Sequence, residues 1–157
     1  VRQHYQANEE RLRSRIAVDD PARHVRNQLK EAISTSVDAF RDVFLLKDYP
    51  NVTTENLFAL YGCDFIIDAD LDVYYVEAQD GPQLKETHDF RVDLYRSMLR
   101  PMINIVEEIA DKQEADANGN LLPLESLGDW EIVYAGDEWR YRYEGYERSK
   151  DKKGCSL

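Results

Sequence analysis

Asp64, Glu77 and Gln79 are the side chains whose types and spacing could do chemistry in this sequence. They lie in the stretch LFALYGCDFIIDADLDVYYVEAQDGPQL, residues 57–84. Side chains two apart on a strand share a face, so Glu77 and Gln79 point the same way if 73–79 is extended. If the chain folds back about Asp70 and Leu71, Asp64 falls roughly opposite Glu77, and cross-strand partners also share a face. A hard cation such as Mg²⁺ takes a few carboxylate and amide oxygens, with phosphates and water completing an octahedron. Acidic residues near strand ends also occur as plain solvated groups, and spacing alone leaves both readings open. Asp68, Asp70 and Asp72 open like a calcium loop. Val73 then stands where glycine is required and Gln79 where a bidentate glutamate should sit, which excludes that reading.

The elements that must position these residues follow from the pattern around them. Two apolar runs, 58–67 and 73–76, flank the acidic, turn-prone 68–72, which predicts a β-hairpin. Before it, Asp20-Pro21 is a helix start, and Val25, Leu29, Ile33, Val37, Phe40 and Phe44 recur at helical spacing through Leu46. His24 lies near that start and is expected to be solvated. Pro50 ends the helix region, since the residue before a proline avoids helical geometry. Asp80-Gly-Pro82 breaks the second strand, and a polar loop carrying Lys85 and His88 follows. Asp89 or Asp93 can cap a second helix with Leu94, Met98, Leu99, Met102, Ile105, Val106 and Ile109 as its stripe. Pro101 inside it is expected to kink or split it. Residues 130–134 and 139–143 alternate like strands around Ala135-Gly-Asp137, which predicts a second hairpin. The Trp, Tyr and Arg residues there could stack on nucleic-acid bases, but the acidic surroundings favour a packing sheet.

Composition bounds the possibilities. The 157 residues are 43% hydrophobic and 32% charged, enough for one globular unit with a core. Residues 1–19 form a polar lead-in containing His4, 20–112 a core, 129–146 the second hairpin and 147–157 a charged tail. The net charge of −11 argues against nucleic acid as a direct partner. No apolar run approaches the ~20 residues of a membrane helix. Two cysteines, Cys63 and Cys155, make no disulfide framework and fit a reducing compartment such as the cytoplasm. The chain opens at Val1 rather than Met, and the expectation is a piece of a longer protein.

The hairpin stretch resembles the tubulin tyrosine ligase family, whose members are ATP-grasp enzymes. The family shows a phrase of the form F-x-L-(Y/F)-G-x-D-(F/I)-(L/M)-x-D, a short turn, then L-x-E-V-N-x-x-P. Phe58, Leu60, Tyr61, Gly62, Asp64, Phe65, Asp68, Glu77 and Pro82 fit it, with Leu84 following, and the resemblance extends over roughly residues 20 to 110. It implies an α+β fold, the C-terminal portion of an ATP-grasp domain, with antiparallel hairpins packed with two long helices. It also implies that Asp64, Glu77 and Gln79 hold the Mg²⁺ that bridges the phosphates of ATP. Gln79 stands where the family phrase has asparagine, keeping an amide oxygen on a longer arm.

The implied activity is carboxylate–amine ligation. ATP phosphorylates a protein carboxylate, of the tubulin C-terminal tail in the family's founding case, and an amino acid's amine attacks the acyl phosphate. The N-terminal part of the same domain is then a required partner, and the 157 residues alone are expected to be inactive. The alternative is a catalytically degenerate module that keeps the fold and serves as a protein-binding scaffold.

Overall fold

The computed structural model describes residues 19–44, 58–82, 84, 89–116 and 119–146. The lead-in with His4, the end of the first helix near Pro50, Lys85, His88 and the tail with Cys155 lie outside these residues. The described elements run α1 (Pro21–Phe44), β1 (Tyr61–Ile67), β2 (Val73–Asp80), α2 (Asp89–Ala115), β3 (Tyr134–Ala135) and β4 (Trp139–Arg140). β1 pairs with β2 and β3 with β4, so the described elements are two small antiparallel sheets and two helices, an α+β composition. The described residues fall into two compact units. One comprises 19–44, 63–79 and 133–146; the other comprises 58–62, 80–82, 84, 89–116 and 119–132.

In the first unit, α1 begins as its sequence predicts. The Asp20 carboxylate accepts the Arg23 amide at 3.0 Å, which satisfies one of the free donors at a helix start. Its apolar stripe is only half-buried from Val25 to Val37, and Phe40 is exposed. The fully buried positions are polar instead. His24 is 6% exposed and Gln28 4% exposed, so His24 is not the solvated residue expected near a helix start. Among the described residues, Val73 is the one buried hydrophobic side chain. The second half of α1 holds the short β3–β4 hairpin by ion pairs, Arg41 with Asp137 and Arg140 with Asp38. Tyr134 also donates to Asp38 at 3.3 Å. The Arg140 guanidinium is thereby committed within the protein.

β3 and β4 are two residues each, with Tyr134 opposite Arg140 and Ala135 opposite Trp139, shorter than the alternation predicts. One cause is visible at Trp130. Its indole N–H donates to the Met98 carbonyl of α2 at 2.8 Å, so in the second unit it serves the helix and not a strand.

α2 runs unbroken from Asp89 through Pro101 to Ala115, and Asp93 lies inside it instead of capping it. Proline removes one helical hydrogen bond and crowds the preceding turn. In that turn the Trp130 indole supplies an additional donor to the Met98 carbonyl. Gly128 lies against the proline ring. A Cβ at 128 would come within 2.7 Å of Pro101 Cγ, and the residue has φ +55°, so both space and backbone require glycine there. About two turns further along α2, Glu108 and Lys112 form an ion pair at 2.8 Å. The Glu108 carboxylate accepts the amides of Glu125 and Ser126, and Lys112 donates to the carbonyls of Leu121 and Pro123. These bonds hold Glu108 down from 4.5 to about 2, with Lys112 the largest cause and the Glu125 amide next.

Among the described residues, no helix is long and apolar enough to cross a membrane.

Candidate functional site

The candidate site is built on the β1–β2 hairpin, and its turn comes first. The Leu71 amide donates to the Asp68 carbonyl at 3.1 Å and the Asp68 amide to the Asp72 carbonyl at 3.0 Å. The reversal is therefore centred on Ala69 and Asp70, one residue earlier than the sequence suggests, and Leu71 follows at φ +62°. A tight turn followed by one left-handed residue is a standard three-residue hairpin connection. Asp68 explains the shift. Its Oδ1 accepts the amides of Asp70 at 2.9 Å and Asp72 at 3.0 Å, the local side-chain bonding that makes aspartate a turn former. Tyr74 donates to its other oxygen at 3.3 Å. The second aspartate of the family phrase is thus the brace of the turn.

Other residues of the phrase also have structural reasons. A Cβ on Gly62 would meet Pro82 Cβ at 3.1 Å, so the phrase's glycine and proline pack against each other across the hairpin's open end. Phe65 stacks edge-on against Tyr75 at 5.3 Å. Burial pushes the Cys63 thiol up from its usual range, the hydrogen bond with Tyr75 opposing, which makes Cys63 a poor nucleophile.

On the exposed face the three sequence-predicted residues meet. The Gln79 amide nitrogen lies 2.7 Å from Glu77 Oε1 and 3.3 Å from Asp64 Oδ2. Two carboxylates brought together require positive charge or a donor between them, and the Gln79 N–H₂ occupies that place. Rotation about the amide's terminal torsion, a soft one, presents oxygen where nitrogen now stands. Two carboxylates and an amide oxygen are then within reach of one point. That donor set fits a hard divalent cation sharing its shell with phosphate and water. Among the described residues no three His, Cys, Asp or Glu side chains gather as a metal cluster, so the fit rests on two carboxylates and one amide.

Sequence reasoning missed the residues that hold this hairpin from behind. Gln28 on α1 donates to the Leu71 carbonyl at 2.7 Å and accepts the Val73 amide at 2.9 Å. Asp72, only 2% exposed, accepts from the Tyr146 hydroxyl, which also lies 2.9 Å from Gln28 Oε1. His24 Nδ1 sits 3.0 Å from the Tyr143 hydroxyl, and the Tyr143 and Tyr146 rings stack at 5.1 Å. Burial lowers the His24 pKa, with the Asp72 carboxylate opposing. His24 and Gln28 stand four apart and share a face of α1, but nothing in the sequence marks that face as buried.

A comparison with protein families matches residues 3–115 to the tubulin-tyrosine ligase family. The match covers well over half of the chain and includes α1, the β1–β2 hairpin and α2, and it ends before β3 and β4. The chain belongs to the tubulin-tyrosine ligase family, a family of ligases. Neither the curated proteins nor the solved structures include a match to it.

Proposed function

We propose that this chain is the Mg²⁺–ATP-binding C-terminal part of an ATP-grasp ligase that joins an amino acid to a protein carboxylate. The observation that carries the proposal is the meeting of Asp64, Glu77 and Gln79 on one exposed strand face of a family member. Asp64 and Glu77 would hold Mg²⁺ through carboxylate oxygens and Gln79 through its amide oxygen. A cation there would neutralise charge developing on transferred phosphate. The acceptor carboxylate would take the γ-phosphoryl group of ATP with release of ADP, and the incoming amine would then displace phosphate from the acyl phosphate and lose a proton, so no enzyme nucleophile is required. The chain's own part is electrostatic and positional: two fixed carboxylates on a braced hairpin, with the amide free to turn between them. The acceptor we favour is an acidic protein tail of the tubulin type. With a net charge of −11, this chain would leave the basic contacts for such a tail to the N-terminal part of the domain. A cytoplasmic location is supported by the free thiol of Cys63.

Calorimetric titration of Mg²⁺–ATP into the protein and its Glu77→Ala variant tests the reading. Saturable binding that the variant loses supports it; equal binding by both removes Glu77 from the site.

A second reading has its own observation. The Gln79 amide already spans both carboxylates and satisfies them without a metal, as a degenerate module serving as a protein scaffold would need. Gln79→Asn separates the two: a gain in Mg²⁺–ATP affinity points to an impaired enzyme, and no change to the scaffold.

A further inference from the structure

Resting on that reading for the identity of the metal site, we propose that Gln28 is a positioning residue for it. From α1, its amide sets the β1–β2 turn and thereby decides which face of β2 carries Glu77 and Gln79.

Asp68 satisfies the turn's own amides at Asp70 and Asp72. The Leu71 carbonyl and the Val73 amide are met instead from α1, and Val73 is fully buried, so water cannot serve its amide. Gln28 meets both, its nitrogen donating to Leu71 at 2.7 Å and its oxygen accepting from Val73 at 2.9 Å. One side-chain amide thus bonds the strand as a neighbouring peptide would. The pattern admits one orientation of the amide, because a carbonyl can only accept and a backbone amide can only donate. The Tyr146 hydroxyl, its single proton shared between Gln28 Oε1 and Asp72 Oδ1, adds to the same orientation.

Val73 is the first residue of β2, so pinning it pins the strand. Side chains alternate along a strand, and a slip of one residue sends every one to the opposite face. Such a slip would put Val76 and Ala78 where Glu77 and Gln79 now stand and would dismantle the carboxylate pair. Leu71, held in a left-handed conformation at φ +62°, is unfavourable for a branched side chain. The bond from Gln28 to its carbonyl holds it there. The residue touches no ligand; it acts through the register.

The test combines Mn²⁺ titration, read by water-proton relaxation, with amide hydrogen exchange on Gln28→Leu and Gln28→Glu. Gln28→Leu removes both bonds, whereas Gln28→Glu keeps an acceptor for Val73 and sets against the Leu71 carbonyl a carboxyl oxygen that donates only when protonated, close to the buried Asp72 carboxylate. In Gln28→Leu, Mn²⁺ is expected to bind about tenfold more weakly. The Val73 amide should exchange faster while the Ile33 amide in α1 keeps its protection. Gln28→Glu should restore slow exchange at Val73 and part of the affinity. Unchanged Val73 exchange in Gln28→Leu overturns the proposal. If that variant loses protection in α1 as well, Gln28→Glu decides: slow Val73 exchange supports the role, and fast exchange over an intact α1 overturns it. Should the wild-type protein take up no Mn²⁺, or Glu77→Ala take it up equally, the metal reading fails on its own. Gln28 is then judged by Val73 exchange and by the Gln79 side-chain amide resonances, which must move in Gln28→Leu; if they stay put, the proposal is overturned.

Discussion

The two units solve one problem with opposite chemistry. In each, a helix side chain reaches out and binds the main chain of a neighbouring segment. On α1 the reaching group is Gln28, neutral and almost fully buried, bonded to Leu71 and Val73. On α2 it is the Glu108–Lys112 ion pair, partly exposed, bonded to residues 121–126. A dry amide has little solvent screening and no charge to lose. A partly wet ion pair is open to salt and to protons. The staple under the proposed metal site is therefore the one that ionic conditions do not reach. That suits a site whose own ligands are charged.

The largest effect is expected where the dry staple is cut. Gln28→Leu leaves the buried Val73 amide without its acceptor, and an unsatisfied buried donor costs about 2 kcal/mol. Urea denaturation should show that loss at low and high salt alike. A loss that shrinks with added salt would mean that the staple is not dry. Glu108→Gln comes next. It keeps an oxygen for the Glu125 and Ser126 amides but gives up the charge that Lys112 faces, so local exchange at 125 and 126 should rise and the rise should narrow with salt.

Protons separate the two regions further. Glu108 is depressed from 4.5 to about 2, so its contribution is complete above 4.5 and is lost as pH falls through the folded value. Thermal melts of Glu108→Gln should be flatter than wild type between pH 4.5 and about 2. His24 works in another window. Its folded pKa is lowered beneath the ordinary 6.5 by burial, so the unfolded chain takes the proton first. Stability is complete above 6.5 and declines as pH falls below it. The groups facing His24 are the Asp72 carboxylate and the Tyr143 and Tyr146 rings, and the carboxylate softens the decline without reversing it. His24→Gln should remove the part of the fall between pH 7 and 5 that wild type shows, with a smaller amplitude than the Gln28→Leu loss.

What the sequence made legible matches this division. The hairpin, the Asp20 cap and the helix α2 could be read because each is a local pattern: alternation, a capping carboxylate, helical spacing; the α2 stripe is half-buried and its Leu94 exposed. The convergence of Asp64, Glu77 and Gln79 could be read because strand geometry places alternate residues together. Gln28, His24 and Tyr146 could not, since they meet over more than forty residues of chain and a buried polar contact leaves no periodic trace. Asp68 fits the family phrase, but the phrase does not carry its reason, which is the pair of turn amides it accepts. The pattern puts the turn one residue late because Leu71, a leucine, gives no hint of a left-handed backbone. Alternation puts Trp130 in a strand because it cannot see that the indole serves the turn containing Pro101.

The smallest effect gives the comparison its baseline. Asp93 and Arg96 stand one turn apart on α2, 3.8 Å from each other, with side chains 85% and 74% exposed. They have the charges of the Glu108–Lys112 pair without its contacts to the main chain. An exposed pair of that length gains little in water and is screened further by salt. Arg96→Ala should therefore shift stability by no more than about 0.5 kcal/mol, within the error of paired urea melts, and leave exchange at 125 and 126 untouched. A shift as large as that of Glu108→Gln would mean that charge alone stabilises α2. The backbone capture by Glu108 would then be incidental, and the contrast between a dry staple and a wet one would reduce to a contrast between one helix and another.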